Sequence, residues 1–299
     1  MFDRSSFAPK GAPYPHATSE LALARSEPVL PMSAGLKAMR MRRILRSTTG
    51  RTLLVPLDHG LTIGPVPGIT RGRDAVLSAV SSSADGVILN KGLLRQSMGA
   101  FAGHPRVAAI VHLSGSLSLS PSANLKVATG TVADALALGA DGVSVHLNIG
   151  CRDDHLMLEQ AAEVASECDR WGVPLLMMMY PRGESVDELC PKNLAMAARA
   201  AMELGADLVK VNYTGTASSF REVIEGVEIP VVIAGGPAGG DVETLLSYVH
   251  AAMEAGAAGV AIGRNIFQYS QPTRLLRALE LIIHEGRSLD DATVGLGTR

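Results

Sequence analysis

An α/β fold, a single (β/α)8 TIM barrel with an N-terminal capping helix and a flexible N-terminal arm, is what this 299-residue sequence predicts. Three observations carry that expectation. Eight apolar runs of strand length alternate with helical segments rich in Ala and Leu, the pattern of parallel strands buried on both faces. The punctuation between them repeats in an even/odd rhythm. The length also suits one barrel of roughly 250 residues plus short extensions. A doubly wound open sheet is the competing fold. It favours a glycine-rich fingerprint after the first strand, where this chain has Asp58-His59-Gly60.

Composition narrows the function classes. The chain has 27 Lys+Arg against 29 Asp+Glu, a net charge of -2, so no basic face for nucleic acid is expected. With 47% hydrophobic residues it is no disordered chain. No apolar run reaches about 18 residues, so no membrane span is predicted. Cys151, Cys168 and Cys190 form no CxxC or Cys/His cluster, which argues against a zinc site or a disulfide framework. Reduced thiols and the absence of a secretory pattern point to the cytoplasm.

Residues 1–33, rich in Pro and Ser without periodicity, read as the arm. The capping helix follows at 34–46, with Leu36, Met39, Ile44 and Leu45 at helical spacing. The barrel domain is assigned to 34–286, and 287–299 to a mobile surface tail. The eight runs are 52–58, 86–92, 107–115, 142–148, 174–180, 207–213, 230–236 and 259–265. Ser83-Ala84-Asp85-Gly86, Gly139-Ala140-Asp141-Gly142, Gly205-Ala206-Asp207 and Gly256-Ala257-Ala258-Gly259 precede the even runs. Glycine there ends a helix cheaply through a left-handed turn. Pro174 and Pro230 open runs five and seven, where a strand's first residue forfeits no interior ladder bond.

Barrel active sites lie at the C-terminal strand ends. The polar residues there are Asp58 and His59; Asn90 and Lys91; His112 and Ser114; Ser144, His146 and Asn148; Tyr180 with Arg182 beyond it; Lys210, Asn212 and Tyr213; Gly235-Gly236; and Gly263-Arg264. Polar groups inside such apolar strands are costly unless they are used. Lys210 is the sharpest signal. The chain has six lysines (Lys10, Lys37, Lys91, Lys126, Lys192 and Lys210), and only Lys91 and Lys210 fall in strand-like runs. A lysine within Leu-Val-Lys-Val enters the barrel mouth, where desolvation favours the neutral amine that attacks a carbonyl. A structural ion pair, for example with Asp58, is the alternative. Lys91 competes, because its neighbour Asn90 has opposite parity and only one of the two points inward.

Tyr180 can relay protons or merely pack. Asp58 can orient the lysine, accept a proton or bind a hydroxyl. Three histidines at strand ends raise a metal question, but they lack a short ligand spacing, and lysine chemistry needs neither metal nor cofactor. Gly235, Gly236, Gly263 and Arg264 follow strands seven and eight, a common phosphate site in barrels. They imply a phosphorylated small molecule.

Five motifs, Leu57-Asp58-His59-Gly60, Met179-Tyr180-Pro181-Arg182-Gly183, Val209-Lys210 with Tyr213-Thr214-Gly215, Ala234-Gly235-Gly236-Pro237 and Gly263-Arg264-Asn265-Ile266-Phe267-Gln268, resemble the archaeal-type class I aldolases over about 34–286. Within that superfamily the chain is most similar to the 2-amino-3,7-dideoxy-D-threo-hept-6-ulosonate synthases and the 2-amino-4,5-dihydroxy-6-oxo-7-(phosphonooxy)heptanoate synthases. The resemblance implies Lys210 as Schiff-base lysine, Tyr180 as proton donor and acceptor, and Asp58 as acid/base or orienting carboxylate. It assigns the phosphate to Gly235, Gly236, Gly263 and Arg264, with His59 and Arg182 as further substrate contacts. The implied reaction joins a phosphorylated ketose donor, such as dihydroxyacetone phosphate, to aspartate 4-semialdehyde, for aromatic biosynthesis in secondary metabolism. A homo-oligomer, a decamer in relatives, is implied as well. A class I fructose-bisphosphate aldolase and a catalytically silent sugar-phosphate-binding barrel are the alternatives. The former needs a second phosphate site, which Arg95, Arg152 or Arg182 could serve.

Overall fold

The structure, a computed structural model, describes residues 32–236 and 241–296. The expected arm therefore lies outside the described residues, apart from its last two positions, which open the first helix. In chain order the elements are α1 (Met32–Ile44), β1 (Thr52–Pro56), α2 (His59–Ile63), α3 (Gly72–Val80), β2 (Gly86–Leu89), α4 (Lys91–Gly103) and β3 (Ala108–His112). Then come β4 (Ser114–Gly115), β5 (Val127–Ala128), α5 (Val132–Ala137), β6 (Gly142–Ile149), α6 (Asp154–Trp171), β7 (Leu175–Pro181) and α7 (Pro191–Glu203). The last third holds β8 (Leu208–Val211), α8 (Ala217–Glu225), β9 (Val231–Ala234), α9 (Val242–Ala255), β10 (Gly259–Ala261), α10 (Arg264–Phe267), α11 (Pro272–Ile283) and α12 (Leu289–Leu296).

Eight parallel strands close in the order β1-β10-β9-β8-β7-β6-β3-β2. Each is one of the eight apolar runs. The expected barrel is thereby found, and the competing open sheet is excluded. Two elements depart from the sequence reading. Ser114-Gly115 leaves the barrel to pair antiparallel with Val127-Ala128, so an excursion stands over the mouth between β3 and α5. Residues 289–296, expected as mobile surface tail, form α12 and bury Ala292 and Leu296; the helix packs on α11. The short apolar pattern Leu289, Ala292, Val294, Leu296 was too brief to stand out from a tail.

Strand parity divides the core in two. Leu54, Ile88, Ala108, Ile110, Leu176, Met178, Leu208, Val232 and Ala261 fill the barrel, closed below by Ile44 and Met41 of α1. The alternate residues, among them Val55, Leu89, Val111, Val143, Met177, Met179 and Val209, pack outward under the helices. The barrel is thus a filled core, and only its upper inner positions are open to polar groups.

The repeated Asp before the even strands has a role beyond punctuation. Leu53 N–H donates to Asp85 Oδ2 (2.6 Å), Ala109 N–H to Asp141 Oδ2 (2.9 Å) and Leu175 N–H to Asp207 Oδ2 (2.9 Å). Each carboxylate so ties the floor of its own strand to that of the preceding barrel strand. Cations of α1 and of the residues just after it match them one to one: Arg46, two residues past the helix, pairs with Asp85, Arg43 with Asp141 (3.1 Å) and Lys37 with Asp207 (3.1 Å). The basic face of the capping helix is therefore the complement of the Asp repeat. The fourth repeat has Ala258 instead. Gly259 after it has φ +136°, and a Cβ there would stand 1.9 Å from Thr52 O, so only glycine fits.

Candidate active site

The upper inner positions of the barrel bring together Asp58, His112, His146, Tyr180 and Lys210. Asp58 leaves β1 just before α2, and Asn90 Nδ2 donates to its main-chain oxygen (2.9 Å). Its Oδ2 lies 3.6 Å from His112 Nε2, whose Nδ1 meets Ser144 Oγ at 2.8 Å. Its Oδ1 lies 3.3 Å from His59 Nδ1, without hydrogen-bond alignment. Burial alone would raise the Asp58 carboxyl; His112, His59 and Lys210 outweigh it and hold the group below its ordinary value. Asp58 is therefore an ionised carboxylate in a nearly closed site.

The three histidines are all held below their ordinary value. Burial pushes His59 and His112 down against the pull of Asp58, with Lys210 adding to the push, and burial takes His146 well below its usual value. Among the described residues no group of three His, Cys, Asp or Glu side chains is placed to hold a metal.

Lys210 sits on the inner face of β8, in register with Met178 of β7 and Val232 of β9, and is 7% exposed. It makes no ion pair or side-chain hydrogen bond with a described residue, so the expected structural alternative, a pair with Asp58, does not form. Lys91 is resolved the other way. Asn90 takes the inward parity, while Lys91 Nζ bonds Asp134 Oδ2 (3.0 Å) beside α5. Tyr180 lies two residues beyond Met178 on the face shared with Lys210, roughly 7 Å farther along the strand direction. Its ring is 6% exposed, tilted on His146 at 4.9 Å and covered by the Arg182 guanidinium at 4.8 Å. Tyr213 turns outward instead, against Phe220 and Tyr248.

On the opposite side of Lys210 the ends of β9 and β10 meet. Asn265 Nδ2 donates to Gly235 O (2.6 Å), fastening one glycine turn to the other. A Cβ at Gly263 would stand 2.5 Å from Pro56 O and 2.6 Å from His59 Cε1, so glycine lets β10 end close against β1. Gly236 has φ +70° and faces open space. Arg264 is exposed beside them, and its charge helps lower His59.

Lys126 was overlooked by sequence reasoning as a site residue, because it lies outside every strand-like run. The excursion between β4 and β5 carries it back to the mouth, where it is 8% exposed. Its charge acts on His112 and His146. An isolated lysine on a Ser/Pro/Asn-rich loop gives no periodic signal that could have found it.

A family model described as DeoC/LacD family aldolase matches residues 52–269. The chain is 40% identical over 251 residues, 83% of its length and 90% of the relative's, to the 2-amino-4,5-dihydroxy-6-oxo-7-(phosphonooxy)heptanoate synthase of Streptomyces griseus. It is 43% identical over 255 residues, 85% of this chain and 94% of the other, to the 2-amino-3,7-dideoxy-D-threo-hept-6-ulosonate synthase 1 of Archaeoglobus fulgidus. Among solved structures, a Schiff base forming fructose-1,6-bisphosphate aldolase superposes with a TM-score of 0.76 at 29% identity, covering 83% of this chain and all of that one.

Proposed function

The chain belongs to the DeoC/LacD aldolase family, and from that premise we propose a class I carbon-carbon synthase that joins dihydroxyacetone phosphate to aspartate 4-semialdehyde. The product is a seven-carbon amino acid sugar that feeds aromatic biosynthesis. The name of the Streptomyces griseus relative describes such a molecule: an amino heptanoate with a 6-oxo group, 4,5-hydroxyls and a 7-phosphate. Breaking its C4–C5 bond in the aldol sense yields those two substrates.

In the proposed cycle Lys210, after giving up a proton, adds its amine to the donor ketone, and loss of water leaves an iminium. The iminium draws electrons from the neighbouring carbon, so its proton leaves and an enamine forms. Asp58, held ionised, takes this proton or orients the group that does. The enamine carbon attacks the aldehyde carbon while Tyr180 gives a proton to the aldehyde oxygen. Water then releases the product ketone and restores Lys210. Covalent attachment replaces one difficult carbanion with a stabilised one. Gly235, Gly236, Gly263 and Arg264 take the donor phosphate, with His59 beside them. Glycine permits close backbone approach, and Arg264 adds a charge-assisted contact.

The observation that carries this reading is Lys210 itself: a buried, unpaired lysine on the inner wall between Tyr180 and the two glycine turns. The expected experiment is borohydride reduction in the presence of dihydroxyacetone phosphate, then peptide mass mapping. An adduct on Lys210 supports the proposal. An adduct on Lys91, or none with either this donor or fructose 1,6-bisphosphate, refutes it. The fructose-bisphosphate aldolase alternative draws on the 29% identical structure, whereas the 40% and 43% identical relatives favour the synthase. A homo-oligomer and a place in secondary metabolism belong to the proposal through the resemblance alone, and a cytoplasmic setting through the cysteine pattern and the N-terminal sequence.

A further inference from the structure

The excursion between β4 and β5 holds a second cationic corner that the Schiff-base chemistry leaves unused. Lys126 Nζ donates to Ser116 Oγ (2.5 Å) and Ala123 O (3.1 Å). An ammonium has three donors, so one remains. Its main-chain N–H donates to Met157 Sδ (3.3 Å), and Asn148 Nδ2 donates to Asn124 O (2.7 Å), which pins the excursion onto β6. Asn148 is fully buried, and its Oδ1 meets His146 Nε2 (2.9 Å) and Arg182 Nη1 (3.4 Å). Arg182 thus joins the same corner, its plane over Tyr180, with half-exposed Glu188 3.5 Å from its Nε.

Lys126 forms no ion pair with a described residue. Burial and the nearby charge of Arg182 both work against its ammonium, and only Asp58 opposes them. Lys126 is buried without a counter-ion, and one-third-exposed Arg182 has only the half-exposed Glu188, so the corner keeps an excess of positive charge that an anion would offset. Such a pair, one fork and one point charge, is suited to a carboxylate.

The corner also lies on the correct side of the lysine. Strand order places β9 and β10, with the glycine turns, on one flank of β8, and β7 and β6, with Arg182 and Asn148, on the other. A seven-carbon product with phosphate at C7 and carboxylate at C1, attached through C6, must extend past Tyr180 toward β6. We propose that Lys126 and Arg182 form the subsite for the acceptor's carboxylate, so that the enzyme selects an anionic amino-aldehyde over a neutral one. This inference rests on the aldol reading above.

The test compares aspartate 4-semialdehyde with 3-aminopropanal, the same skeleton without its carboxylate, in wild type, Lys126→Gln and Lys126→Arg. Gln can keep the bonds to Ser116 and Ala123 without the charge; Arg keeps the charge. Lys126→Gln is expected to raise KM for the semialdehyde about 10- to 100-fold, as loss of one charge-assisted bond does. KM for 3-aminopropanal and the borohydride adduct on Lys210 should not change, and Lys126→Arg should recover most of the loss. Equal effects on both aldehydes, no effect on either, or wild-type turnover of neither would overturn the subsite. Absence of the Lys210 adduct in wild type would instead sink the Schiff-base reading, which the trapping arm reports separately.

Discussion

Arg43 Nη1 lies 3.1 Å from Asp141 Oδ1, and this contact is the middle one of three that fix α1 to the floor of the barrel. The three are not equivalent. Arg43 is half exposed, whereas Asp85 is buried and also accepts from Leu53 N–H and lies 2.8 Å from His284 Nε2.

Arg43→Ala leaves the buried Asp141 its bond from Ala109 N–H but removes its half-exposed cation, and should cost about 1–2 kcal/mol. Asp85→Ala strands Arg46 and leaves the Leu53 N–H without its partner, and should cost about 3–5 kcal/mol. Urea unfolding of the two variants against wild type reads both. Equal losses would show that the floor network does not distinguish its members.

Much of this floor, and of the barrel above it, was legible in the sequence. The eight strands announce themselves because both faces are buried, so each run is continuously apolar. The Asp repeat was visible as spacing, but its cationic partners lie 39 (85−46), 98 (141−43) and 170 (207−37) residues away in the chain, and no local pattern encodes such a pairing. Asn90 and Lys91 show the limit in another form. Parity says one of them points inward, and only the register of β2 against β1 and β3 decides which. Lys126 was invisible for a third reason: an irregular excursion carries no period, so the destination of its side chain depends on tertiary bonds such as Asn148 to Asn124.

The lowered histidines set an acid limit on stability. His59, His112 and His146 titrate below their ordinary value in the folded chain, so between the folded and unfolded pKa the unfolded chain binds more protons. Stability should then be fully present above about pH 6.5 and fall as pH drops toward the folded values, by up to about 1.4 kcal/mol per pH unit for each group. His146→Gln, which removes the group pushed down farthest, should flatten the slope by about one proton. Urea midpoints at pH 7.5, 6.0 and 5.0 supply the measurement, and an unchanged slope would contradict it.

Glycine at the two turns proposed to hold the phosphate should matter in two different ways. At Gly263 the added methyl meets main chain, Pro56 O at 2.5 Å, so Gly263→Ala must shift β10 against β1 and should lower the melting temperature together with donor affinity. At Gly236 there is space but a left-handed φ of +70°, so Gly236→Ala should cost only about 1 kcal/mol of backbone strain. Thermal melts with and without dihydroxyacetone phosphate separate the cases. A Gly263→Ala protein that melts like wild type would mean that the close approach of the two strand ends relaxes freely.

Tyr180→Phe isolates the proposed proton relay from its packing. The ring is held between His146 and Arg182 by contacts that phenylalanine preserves, so the fold and the position of Lys210 should persist. Borohydride trapping on Lys210 should then succeed, because the amine and its carbonyl are untouched. Turnover should nevertheless fall by about 10²- to 10⁴-fold, the usual contribution of a positioned acid or base. The split matters more than either number. A variant that traps and turns over normally would reduce Tyr180 to a packed aromatic. One that neither traps nor turns over would put the hydroxyl in iminium formation rather than in protonation of the aldehyde oxygen.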